Sequence, residues 1–95
     1  MRMMLKAVVD TESGNRAMTD GTVQKTIQEM VERLRPEALY FVGEEGHRGF
    51  WAVIDMADSS QMPAIAEPLF QMGARVTFAP CMDLEDLQKA MSTLG

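Results

Sequence analysis

Six side chains in this 95-residue chain have the types and positions to take part in chemistry: Lys6, Tyr40, His47, Trp51, Asp55 and Arg75. Tyr40 and Trp51 each pair a flat apolar body with a polar tip, which suits them to stacking on an aromatic molecule. Asp55 and His47 are the candidates for moving a proton, His47 because histidine alone changes charge near neutral pH without perturbation. Lys6 and Arg75 are cations able to steady an enolate-like anion. Each has a plainer alternative. Tyr40 and Trp51 could be a cross-strand pair in a dimer interface, and Asp55 with Lys6, like Asp10 with Arg75, an ordinary ion pair. His47, between Glu44–Glu45 and the next strand, could be a solvated turn residue.

Several chemistries are excluded. One cysteine, Cys81, permits neither an internal disulfide nor a Cys-based zinc site. Cys81 precedes a helix start, but Asp83, Glu85 and Asp86 work against a thiolate there. One histidine beside two acids is a poor metal constellation, so no metal and no cofactor is expected. Gly43, Gly46 and Gly49 surround a hairpin turn rather than a strand-to-helix junction, so they make no phosphate loop. A net charge of −5 with dispersed basic residues argues against nucleic acid as partner. No apolar run approaches the ~20 residues of a membrane span. Lys6 and Asp10 break the N-terminal apolar run that a signal peptide would need. A soluble, cytoplasmic protein is expected. The ten methionines are scattered and read as flexible core filler.

The elements that must position these side chains follow from periodicity. Met3 to Val9 alternates as a strand. Thr11 reads as an N-cap for a short helical stretch over Glu12–Met18, pausing at Asp20-Gly21. Thr22 to Arg35 carries Val23, Ile27, Met30, Val31 and Leu34 on one helical stripe and stops at Pro36. Ala38–Glu44 and His47–Met56 form a hairpin around Glu45-Gly46. Asp58 caps a helix over Gln61–Met72, with Pro68 inside it and Gly73 beyond its end. Ala74–Met82 is a fourth strand. Asp83 caps a last helix with Leu84, Leu87 and Met91 on one face.

This order predicts a single α+β domain with a ferredoxin-like βαββαβ core. Its four-stranded antiparallel sheet runs in the order 4-1-3-2, with helices on one face and an extra C-terminal helix. Alternation sorts each strand into two sets. Leu5, Ala7, Val9, Leu39, Phe41, Phe50, Ala52, Ile54, Met56, Val76 and Phe78 should meet the helices. The mixed set, including Lys6, Tyr40, Trp51, Asp55 and Arg75, should lie on the uncovered face. A two-residue turn pairs Glu44 with His47 and Tyr40 with Trp51, and a one-residue slip would mix the two sets.

With these elements the chain resembles the dimeric α+β barrel superfamily. The run Pro80-Cys81-Met82-Asp83-Leu84-Glu85-Asp86-Leu87 is similar to the ends of small bacterial members. The resemblance implies a homodimer with a pocket between each sheet and its own helices, or inside the barrel. It also brings in cofactor-free monooxygenases and muconolactone-isomerase-like proteins. Haem-degrading members use Asn, Trp and His around the porphyrin. Here the only asparagine is Asn15 and His47 lies at a turn, so haem is not expected. Tyr40, Trp51 and Arg75 match part of the set found in quinone-forming monooxygenases. The expectation is a homodimer binding a small aromatic or apolar molecule at the uncovered face. A cofactor-independent monooxygenase or isomerase, and an interaction protein without ligand, are the alternatives.

Overall fold

The computed structural model describes all 95 residues. The chain runs β1 (Arg2–Val9), α1 (Thr11–Thr19), α2 (Thr22–Leu34), β2 (Ala38–Glu44) and β3 (His47–Asp55). A 3-10 turn (Ser59–Gln61), α3 (Met62–Gln71), β4 (Ala74–Pro80) and α4 (Leu84–Ser92) follow. All strand pairs are antiparallel and the sheet order is β2-β3-β1-β4. This is the ferredoxin-like arrangement expected from the sequence, with the first crossover split into two helices. No helix is long and apolar enough to cross a membrane.

The hairpin turn at Glu45-Gly46 has both φ angles positive, 50° and 81°. That is the twist of a two-residue primed turn, and a glycine at its second position takes it without strain. The turn fixes the register Glu44↔His47, Val42↔Gly49 and Tyr40↔Trp51. The hydrophobic sorting follows from it. Met3, Leu5, Ala7 and Val9 on β1, with Phe50, Ala52 and Ile54 on β3, are buried beneath Met30, Ile65 and Leu69 of the helices. Burying side chains of this size stabilises by roughly 1.5–3 kcal/mol each.

Three local expectations are corrected. Asp10, not Thr11, caps α1, its carboxylate accepting from the Ser13 backbone N–H at 3.2 Å. Asp10 makes no ion pair with Arg75, whose register partner is Val8. β4 ends at Pro80, and Cys81 lies half-buried beyond it, its backbone N–H still donating to the Arg2 carbonyl at 3.2 Å. Phe41, expected against the helices, is 65% exposed, because α1, α2 and α3 leave the helix-side surface of edge strand β2 bare.

The stripe of Leu84, Leu87 and Met91 on α4, with the following Leu94, stands exposed. The helix is tied to the domain at its first turn. Asp83 and Asp86 cap each other's backbone N–H groups, and Arg2 Nη1 reaches both carboxylates, at 3.3 and 2.7 Å. The Asp86 backbone N–H, and after it the charge of Arg2, hold the Asp83 carboxyl below its ordinary range. Glu37, bonded to Arg2 Nε at 2.9 Å, raises the guanidinium further. Beyond that anchor α4 runs on, and the molecule measures 53 × 27 × 18 Å.

Candidate functional site

On the uncovered sheet face the register aligns one row across all four strands: Tyr40, Trp51, Lys6 and Thr77. Lys6 Nζ lies 4.7 Å from the centroid of the Trp51 ring and 3.2 Å from Glu44 Oε1. The indole N–H points at the other oxygen of Glu44, 3.4 Å away. Both the face and the polar tip of Trp51 therefore already have partners within the chain. Next to this row Lys6, Arg75, Thr77, His47 and Glu44 border a polar cleft of about 210 Å³.

Asp55 is elsewhere. It stands opposite Arg2 at the other end of β3, 89% exposed, and accepts from the amino group of Met1 at 2.9 Å. Lys6 faces Trp51, four residues along β3 from Asp55, or about 13 Å at strand rise. The expected Asp55–Lys6 pair does not form. His47 begins β3 and Asp55 ends it, about 26 Å apart, so one small molecule does not touch both within a single subunit.

The largest apolar concavity lies on the other side of the sheet. Where the helices leave β2 uncovered, α1 contributes Met18, α2 contributes Val23 and Ile27, and the hairpin strands contribute Phe41 and Phe50. They line an open cavity of about 500 Å³, which Met72 also borders. The two phenylalanine rings meet at a tilt, with centroids 6.4 Å apart. Three glycines of the hairpin border it; a Cβ on Gly43 or Gly46 would meet open space, whereas one on Gly49 would come within 2.8 Å of the Ala7 carbonyl oxygen.

The rim is polar and built by the start of β3. Arg48 alternates onto the helix side opposite Val9, and its Nη1 donates to Asn15 Oδ1 at 3.0 Å. His47 Nδ1 lies 2.9 Å from the Thr11 hydroxyl, and its ring borders both this cavity and the polar cleft on the far face. His47 is thus a half-buried residue joining two concavities, not a freely solvated turn residue.

The structure brings Lys6, Arg75 and His47 around one cleft and Tyr40 beside Trp51, and it separates Asp55 from all of them. Sequence reasoning passed over Arg48, Phe41, Met18 and Ile27 as site residues. The signal available was Phe41 on an edge strand, with Gly43 two residues along the same strand adding no side chain beside it. No group of three or more His, Cys, Asp or Glu side chains is placed to hold a metal ion. No protein-family model matches the chain, and neither does any curated protein.

Proposed function

We propose that this protein is a homodimer of the α+β barrel type that binds a small, apolar or aromatic organic molecule in the cavity between α1, α2 and the β2–β3 hairpin. The observation that carries the reading is the cavity itself: about 500 Å³, lined by Met18, Val23, Ile27, Phe41 and Phe50, with Arg48 and His47 the only polar side chains on it. Binding sites for small molecules have this size and this mix of apolar wall and few polar groups. The uncovered sheet face supports a different role. Trp51 is pinned there by Lys6 and Glu44, which suits an interface more than a stacking platform.

The case for a second copy rests on surface left bare. Four strands about 4.8 Å apart and roughly 25 Å long present on the order of 500 Å² per copy. Two such faces bury about 1,000 Å², short of the roughly 1,200–2,000 Å² of stable interfaces. The exposed α4 stripe is additional apolar surface, and its 3-4-3 spacing at Leu84, Leu87, Met91 and Leu94 is that of a helix seam. Its charges, Glu85, Asp86 and Lys89, fall off that seam.

A second reading, a cofactor-independent enzyme, is favoured by one observation. Thr11 engages Nδ1 of His47 and leaves Nε2 free at the cavity rim to exchange a proton with a bound molecule. The test of the binding reading uses an uncharged fluorescent probe, phenylnaphthylamine. Saturable binding to the folded protein that is lost in Met18→Trp, a substitution that fills the cavity from α1, supports it. Binding unaffected by Met18→Trp overturns it.

A further inference from the structure

The rim of the cavity specifies what the ligand carries at one end. All its charged or chargeable lining is basic, Arg48 and His47, in a chain whose net charge is −5. Arg48 has no carboxylate partner; its one side-chain bond goes to the neutral amide oxygen of Asn15. Glu45, in the hairpin turn, borders the polar cleft on the other face, and the acids of the neighbouring elements are committed elsewhere. Asp10 caps α1, Glu12 pairs with Arg16 at 3.6 Å, and Glu44 is held by Lys6 on the opposite face. Space is also kept for the guanidinium. A Cβ on Gly14 would come within 3.1 Å of Arg48 Nη1, so the glycine lets the side chain lie across α1 toward the cavity.

A guanidinium with unused donors beside an apolar chamber is matched by an oxyanion on an apolar body, since charge-assisted bonds from arginine to such groups are among the strongest available. Resting on the binding reading above, we infer that the ligand is an amphipathic anion. Its aromatic or aliphatic body fills the space between Phe41, Phe50 and Ile27, and its carboxylate or comparable oxyanion meets Arg48. His47 is the second donor at the rim, and Arg48 is the residue that selects charge.

Two probes sharing one aromatic core separate this inference from the reading beneath it: phenylnaphthylamine, uncharged, and anilinonaphthalene sulfonate, the same core with an anionic group. The sulfonate is expected to bind roughly 10- to 100-fold more tightly, the range of a charge-assisted hydrogen bond. Arg48→Gln, an exposed position outside the core, is expected to erase that preference by weakening the sulfonate toward the affinity of the uncharged probe. Met18→Trp is expected to abolish both. Equal affinities for the two probes, unaltered by Arg48→Gln but lost in Met18→Trp, leave the cavity reading standing and overturn the anion inference. Binding of neither probe, or binding indifferent to Met18→Trp, overturns both.

Discussion

The Lys6 ammonium stands 4.7 Å from the centroid of the Trp51 ring, directly across the β1–β3 ladder from it. Glu44 completes the group by taking Lys6 Nζ and the indole N–H on its two carboxylate oxygens. A tryptophan held this way is rigid before any partner arrives, so little conformational entropy is lost when it is covered. In the proposed dimer Trp51 is therefore the expected anchor of the interface. Trp51→Ala should weaken association by at least about 30-fold, corresponding to the ~2 kcal/mol of an interface anchor. Light scattering on a sizing column is expected to give twice 10.6 kDa for the parent protein and a concentration-dependent fall toward 10.6 kDa for the variant. A parent protein that stays monomeric at every concentration would remove the dimer from the proposal.

The acid limb of stability should trace to capping carboxylates. Asp58 has its carboxyl held below the usual range, first by the Ser60 backbone N–H, 2.9 Å away, and then by the Ser60 side chain. A carboxyl depressed in the folded state binds fewer protons there than in the unfolded chain. Its contribution is therefore complete above the unfolded value, near 4, and is lost as pH falls through the folded one. Asp58→Asn keeps a capping oxygen but cannot titrate. Urea midpoints measured from pH 6 down to about 2.5 should fall less steeply in Asp58→Asn than in the parent, with little difference at pH 6.

Gly73, one residue past the end cap of α3, has φ +82°, and a Cβ built there would lie 2.7 Å from Ser13 Cβ. Both the left-handed backbone and the contact with α1 oppose any side chain. Gly73→Ala is expected to cost about 1–3 kcal/mol in denaturant unfolding. Gly73→Ala combined with Ser13→Gly should recover the part due to contact and leave the part due to backbone conformation.

The strands, their order and the hairpin register were legible because alternation and a two-residue turn leave one solution. Leu5, Phe50 and Ile54 sort to one side in the sequence and are buried there in the fold. Asp58 and Asp83 announced themselves as caps because their partners lie two or three residues on. What was not legible depended on how far the helices extend over the sheet. Periodicity assigns Phe41 to the helix side but cannot say that no helix reaches β2, and the cavity exists for that reason. Likewise, both Asp55 and Lys6 sort to one face, but only the β1–β3 register reveals that they stand four residues apart. Arg48 carries no mark in the sequence, since Gly14 and Asn15, which it meets in the fold, lie far from it along the chain.

The two classes of apolar stripe make opposite predictions. Leu69 on α3 is 1% exposed and packed in the core, whereas Leu84 on α4 is 69% exposed. Truncating Leu69 removes buried methyl groups and leaves a cavity that its neighbours only partly refill. Leu69→Ala should therefore destabilise by about 2–5 kcal/mol in equilibrium unfolding. Leu84→Ala removes no such contact within one subunit, and below the dissociation concentration of the proposed dimer its unfolding should match the parent to within about 0.5 kcal/mol. At concentrations where the dimer forms, covering of the α4 seam by a second copy predicts a weaker dimer for Leu84→Ala and for Leu87→Ala. Sedimentation equilibrium on both variants reads this directly. Unchanged dimer affinity in each would assign the interface to the sheet face alone and leave α4 outside it.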